Sequence, residues 1–443
     1  VNTRSEDEAQ PAPAGTQTQF VDRDAGQLAK QFFATMKPIL IAPLITLLIS
    51  ALQAAPGMKH VLVYQENGRF AGWPANNGAW IFEGDEMLVG FTEASFELQD
   101  GHNIGPESTQ KTWLARSKDG GNSWNAYDPD DFVGDFGLVP EIKPLVIPIR
   151  FDAPQFAMRM VGIAYHGATD PRGHFFYSYD GGDTWMGPHG FGDLINHPEM
   201  QKYGLSEMTP RTDYVVLSRH EALIMMSART AGVFGSDRLF VLRTTDGGRS
   251  FFFMGWVVPP YDPEEADPAA TVPLFDDPAL NPHPSQARAV MPQSFLMEDG
   301  TIVTAMRRRY RNEESDLNRN WVDAYGSRDG GLTWSFMATI GDAGSGNGNP
   351  PALSVTEDGR LCAVFGERAR GRILVTYSQD KGLTWTEPIV LRDDFWSEDM
   401  ETNDLGYPRL LRRSDGKMVA LYYYSTRENP HGIFATIWDP TEH

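Results

Sequence analysis

One eight-residue pattern occurs five times in this chain and limits its fold more than any other feature. It runs Ser117-Lys118-Asp119-Gly120-Gly121-Asn122-Ser123-Trp124 and returns at Ser178–Trp185, Thr244–Phe251, Ser327–Trp334 and Ser378–Trp385, with Lys381 replacing one glycine in the last copy. Asp-Gly and Gly-Gly steps allow positive φ at a tight hairpin turn. The aspartate carboxylate is placed to accept hydrogen bonds from turn amides, and the closing aromatic is placed to pack back on the strands. Apolar stretches such as Leu239-Phe240-Val241-Leu242 precede the turns, as strands entering a hairpin should. The copies lie 51 to 83 residues apart, the spacing of whole supersecondary units rather than of turns within one sheet.

A second repeat lies between the turns. Pro292 leads to Asp299-Gly300, Pro351 to Asp358-Gly359 and Pro408 to Asp415-Gly416, each at the same interval and each followed by an apolar strand. These segments predict the two inner strands of a unit joined by a hairpin. Looser versions begin at Pro74 and Pro210, and a further one near 142–149 followed by 157–164. The last unit has a strand at Ile433–Trp438 but no octad. The N-terminal strand Val61–Tyr64 supplies its missing outer strand, which closes a ring and removes an exposed edge. The expected fold is all-β: a six-bladed β-propeller with four-stranded antiparallel blades.

The 443 residues are compatible with one large all-β domain over 57–443. Fifty-nine acidic against 38 basic residues leave a net charge of -21, which speaks against nucleic-acid binding and otherwise serves solubility. The lone cysteine, Cys362, lies in an apolar strand and reads as a small core residue. Residues 1–35 are polar and aperiodic. Met36-Lys37, an apolar run and small residues before Pro56 match a secretory signal over 36–56. Met36 is then the expected start and 1–35 an upstream extension; an uncleaved membrane anchor is the alternative. Both place the mature domain outside the cytoplasm, and the first leaves it with no stable membrane insertion.

The octads resemble the Asp-box of sialidases, and the resemblance covers residues 60–443. It implies an exo-acting glycoside hydrolase that releases a terminal sialic acid or similar acidic sugar and needs no cofactor. It also implies three arginines for the substrate carboxylate, a Tyr nucleophile with a carboxylate partner, and an Asp acid. Gly406-Tyr407-Pro408-Arg409 matches the nucleophile segment, so Tyr407 takes that role. A neutral phenol avoids repulsion by an anionic substrate yet becomes nucleophilic on losing its proton. Arg307 matches the second arginine and Arg370 the third, with Arg372 close by. Gly72 stands at the first arginine's place, with Arg69 as the candidate substitute. Gln293 occupies the neighbourhood of the Tyr partner, leaving Glu401 or Asp404 to accept the proton. Asp100 is the expected acid, with His102 as neighbour or substitute near neutral pH, and Glu97 and Glu107 as further carboxylates.

Asn77 beside Asn76 offers amides to sugar hydroxyls. Arg211, with Asp213 and His220, flanks Pro210 and either lines the channel or pairs internally. No metal-ligand spacing and no phosphate loop occurs in the sequence. The expected partner is a glycan; oligomeric state is not legible. Two rival functions remain open. One is a glycosidase acting on a uronic acid, rhamnose or arabinose terminus, which the departures at Gly72 and Gln293 favour. The other is a non-catalytic glycan-binding propeller.

Overall fold

The computed structural model describes residues 57–443, apart from 100, 106–107, 130–131, 133–140, 164–169, 234, 313–316, 345–346, 399–402 and 443. The segment read as a signal or anchor, and with it the first 35 residues, lies outside the described residues. Among the described residues no helix is long and apolar enough to cross a membrane.

Six antiparallel sheets follow one another along the chain. Blade one holds β2 (Arg69–Gly72), β3 (Ala79–Ile81), β4 (Met87–Ser95), β5 (Lys111–Ser117) and β6 (Asn125–Tyr127). Blade two holds β7 (Ala157–Val161), β8 (His174–Ser178) and β9 (Met186–Gly190). Blade three holds β10 (Glu207–Met208), β11 (Tyr214–Ser218), β12 (Glu221–Arg229), β13 (Arg238–Thr244) and β14 (Phe252–Trp256). Blade four is β15 (Arg288–Leu296), β16 (Ile302–Asn312), β17 (Leu317–Ser327) and β18 (Ser335–Gly344). Blade five is β19 (Ala352–Val355), β20 (Leu361–Glu367), β21 (Arg372–Ser378) and β22 (Ile389–Arg392). Blade six is β23 (Gly406–Arg412), β24 (Met418–Tyr424) and β25 (Gly432–Trp438), completed by β1 (Lys59–Tyr64). The N-terminal strand therefore closes the ring, with Lys59 opposite Ile437 and Val61 opposite Ala435.

The five turns have one construction. In the first, Ser117 Oγ donates to Asp119 Oδ1 at 2.8 Å, Ser123 Oγ to Asp119 Oδ2 at 2.6 Å, and the Gly121 amide to Ser117 Oγ at 2.8 Å. The Trp124 indole N–H then returns to the Gly121 carbonyl at 3.0 Å. Trp185, Trp334 and Trp385 make the same closure at 3.1 to 3.2 Å. Phe251 has no N–H to do so.

Two features depart from the sequence expectation. The segment at 142–149 forms no strand. It touches β9 at Lys143, whose amide bonds the Pro188 carbonyl, and runs on to blade three, where the Ile149 amide bonds the Gly247 carbonyl and the Phe151 amide the Arg219 carbonyl, so blade two has three strands among the described residues. In blades one and three the innermost strand is split, the first by the short helix α1 (Pro74–Asn77), the second by Thr209–Asp213. In blades four and six it is bulged, between Val290 and Gln293 and between Gly406 and Arg409. Every break falls at a residue followed by proline. Proline cannot donate to a ladder and is tolerated because these strands are the channel-side edges of their sheets.

Apolar packing is divided among six clusters, each between neighbouring blades. Phe70, Phe91, Val419 and Ile437 join blades one and six, and Met158, Phe175, Ile224 and Phe240 join two and three. Cys362 is buried in the cluster joining blades five and six, where burial pushes its thiol up, as expected of an inert core residue.

Candidate active site

The broken inner strands deliver side chains to one cavity of about 680 Å³. Its walls include Tyr407, His102, Asn347, Gln286 and the arginines 238, 288, 307, 309 and 311. Tyr407 sits in the bulge of β23 with φ of 48°, a left-handed conformation that a bulky residue adopts only when its surroundings impose it. The imposing contact is a hydrogen bond from the Tyr407 amide to Asn349 Oδ1 at 3.0 Å. Gly406 before it has φ of 108°, and a methyl group there would collide with the Asn349 amide.

The Tyr407 phenol is 6% exposed and accepts a hydrogen bond from Arg307 Nη1 at 3.2 Å. Burial alone would raise its pKa, but Arg307, Arg368, Arg211 and Arg288 outweigh burial and lower it. Arg368 lies over the ring, 5.9 Å from its centroid. The arrangement thus favours the phenolate, the nucleophilic form.

Beside Tyr407 is a buried relay. Asp404 Oδ1 is 2.9 Å from His102 Nδ1, 3.1 Å from Arg368 Nη2, and accepts from the Tyr423 hydroxyl at 2.5 Å. Its second oxygen accepts from the Asn103 amide at 2.9 Å. Burial opposes ionisation of Asp404, but His102, Arg368 and Tyr423 hold its pKa down at about 2. The Trp73 indole nitrogen also approaches His102 Nδ1, at 3.3 Å. The closer carboxylate decides the tautomer: Nδ1 carries the proton, and Nε2 is left as the acceptor. Burial, then Arg368 and Arg307, lower the His102 pKa against the pull of Asp404, so the imidazole is neutral near pH 7. Its ring meets Tyr407 edge to face at 5.7 Å.

Below the cavity, Arg409 crosses the channel. It donates to Gln293 Oε1, to the Ala75 carbonyl and to the Thr212 carbonyl, tying blade six to blades four, one and three. Asp213 accepts from Ser294 Oγ at 2.7 Å in the same layer.

Comparison with known proteins agrees with this architecture. Residues 255–420 match the BNR repeat-like domain, and no curated protein matches the sequence. Among solved structures, a protein of unknown function from Dyadobacter fermentans aligns with a TM-score of 0.58 at 16% identity, covering 87% of this chain and 99% of that one. An α-L-arabinofuranosidase of Fusarium graminearum, solved with arabinobiose, aligns at 0.52 and 13% identity over 86% and 98%. A Hadza microbial sialidase aligns at 0.51 and 12% identity over 84% of this chain and 66% of that one. The fold is that of a six-bladed β-propeller, and residues 255–420 are similar to the BNR repeat-like domain.

In this propeller Tyr407, Arg307 and His102 meet at the cavity, and Arg211, buried behind its wall, stands close enough to act on the Tyr407 phenol. Arg370 does not line the cavity. Its side chain is 69% exposed and pairs with Glu367 at 3.3 Å, as does Arg372 at 2.5 Å. Arg368, two residues earlier, is the buried arginine over the Tyr407 ring. A single 3₁₀ turn over Arg368–Arg370, ended by left-handed Gly371, sends the first arginine inward and the third out. Arg69 is also away from the cavity walls, held by Glu93 across β2 and β4. Asn77 is spent inside the fold, donating to the Trp73 carbonyl at 3.2 Å and accepting from Arg159 at 3.3 Å. Gln293 belongs to the Arg409 layer. Asp100, Glu401 and Glu107 lie outside the described residues. Sequence reasoning passed over Trp73, Arg288, Arg368 and Tyr423. A residue–proline step at each inner strand was the available signal for the first.

Proposed function

We propose that this propeller is an exo-acting glycoside hydrolase that releases a terminal acidic sugar, sialic acid or a close analogue. The observation that carries the proposal is the Tyr407 phenol, buried, strained and acidified by converging arginines. In the proposed reaction Arg307 and Arg288 hold the sugar carboxylate, with Arg211 adding positive charge from behind the wall, and His102 Nε2 takes the phenol proton. The phenolate attacks the anomeric carbon while the glycosidic C–O bond breaks and Asp100 protonates the leaving oxygen. Water, deprotonated by the Asp100 carboxylate, then attacks the anomeric carbon, the bond from that carbon to the Tyr407 oxygen breaks, and the phenolate takes back the proton from His102, releasing the sugar with net retention. The fold shared with a sialidase and with an arabinofuranosidase supports glycosidase chemistry in general. The arginine-lined wall supports an acidic substrate over a neutral one. Secretion through the signal at 36–56 accords with a glycan substrate.

The test is hydrolysis of a fluorogenic α-sialoside by the full chain, with Tyr407→Phe alongside. Turnover that falls at least about a thousandfold in the variant, with sugar binding kept, is the expected result. Absence of turnover on sialosides, followed by release from uronic-acid, rhamnose or arabinose glycosides, would move the assignment to the rival specificity suggested by Gly72. Binding without turnover on all of them would leave a glycan-binding module.

A further inference from the structure

The cavity is far more positive than one carboxylate requires. Five arginines line it, and among the described residues no carboxylate does, in a chain whose net charge is -21. Their order follows from strand geometry. Along β16, Arg307, Arg309 and Arg311 alternate onto one face. Arg308 points the other way, to the Tyr325 hydroxyl at 3.0 Å and the Pro284 carbonyl at 2.5 Å. Across the hairpin Arg288 stands opposite Arg309 and Val290 opposite Arg307. Arg307 touches Tyr407, so Arg309 and Arg288 mark a second level about 6.6 Å further from the phenol, two residues along the strand. Arg238, at the start of β13, adds to the wall from blade three.

Among the described residues, the charges of Arg307, Arg309 and Arg238 are incompletely answered. Asp237 takes Arg288 at 2.7 Å. Among the described residues Arg309 donates to the Asn318 amide oxygen at 3.1 Å and pairs with no carboxylate. Arg307 and Arg238 are 3% and 8% exposed, and the Nε atom of each is buried without a hydrogen-bond partner. A buried guanidinium N–H without an acceptor is costly, and a bound anion that accepts from it relieves that cost.

We propose that the cavity recognises two anionic groups of one glycan, the first at Arg307 beside Tyr407 and the second at Arg309 and Arg238. The second group is a sulfate ester on the terminal sugar or the acid group of the sugar next to it. The assignment of a glycan rests on the function proposed above; the two-anion site does not.

Crystals of the full chain soaked in selenate, whose selenium is located directly by anomalous scattering, test the site without any sugar. Two selenium positions in the cavity are expected, with Arg238→Met, or Arg309→Gln should that variant fail to fold, retaining only the one at Arg307. One position or none in the wild-type cavity overturns the proposal. Calorimetric titration with methyl glucuronide, its sulfate ester and the methyl diglucuronide then identifies the source. At least tenfold tighter binding of the ester assigns the second anion to the same sugar, and of the disaccharide to the next. Equal affinity for all three overturns the proposal. Two seleniums in a protein that hydrolyses no acidic glycoside would remove the hydrolase assignment and keep the site. Hydrolysis with a single selenium would do the reverse.

Discussion

Tyr407 shows how much chemistry one residue draws from its backbone. The Tyr-Pro step forces a bulge, the bulge forces positive φ, and the Asn349 contact fixes the ring beside Arg307 with Arg368 over its face. Its acidity should therefore depend on those cations. Spectrophotometric titration, taking the difference between the wild type and Tyr407→Phe, should find this phenol ionising below the ordinary tyrosine range. Arg307→Met should move it upward, because Arg307 is the largest of the influences that oppose burial. An unchanged titration would mean that the arginines act on substrate alone. Tyr407 and Arg307 were legible in the sequence because each stands at a fixed interval from a repeat landmark, Tyr407 before the Pro408 to Asp415-Gly416 hairpin and Arg307 at the end of the strand after Asp299-Gly300. Arg368 was not, since the 3₁₀ turn that orients it leaves no periodic trace and Arg370 carries the same charge two positions on.

At the scale of the element, the octad turns and the inner strands divide the labour. The turns hold their aspartates well below the usual carboxylate range. Side-chain hydrogen bonds from Ser123, Thr333 and Thr384 are the largest cause, and Asp119, Asp329 and Asp380 are each brought to about 2. A folded-state pKa below the unfolded one gives stability that is complete above about pH 4 and is lost as pH falls towards 2. Thermal melting between pH 5 and 2 should show that decline, and Asp329→Asn should flatten it while leaving turnover and ligand binding unchanged, since the turn lies outside the cavity. The turns were readable because glycine φ and serine–aspartate bonding are local demands. The want of a fourth strand in blade two, among the described residues, was not, since the apolar residues of 142–149 mimic a strand while the segment bonds β9 only at Lys143 and crosses to blade three at Ile149.

For the whole molecule, six interface clusters replace a single core, and the ring is held shut by β1 against β25 and by Arg409 across the channel. Removing residues through Tyr64 should expose β25, whose Ile433, Phe434 and Ile437 then border an open edge. The expected outcome is a lower, broader melting transition and association on size-exclusion chromatography; a monomer with an unchanged midpoint would show that closure by β1 is dispensable. Closure was legible because the last blade lacks an octad and the first strand lacks a partner. Pairing Lys59 with Ile437 also has a consequence for synthesis. The first strand leaves the ribosome before every blade and finds its partner only after the sixth has emerged. The protein therefore passes its whole assembly with an unmatched edge at its beginning, and its final folding step joins the oldest part of the nascent chain to some of the newest.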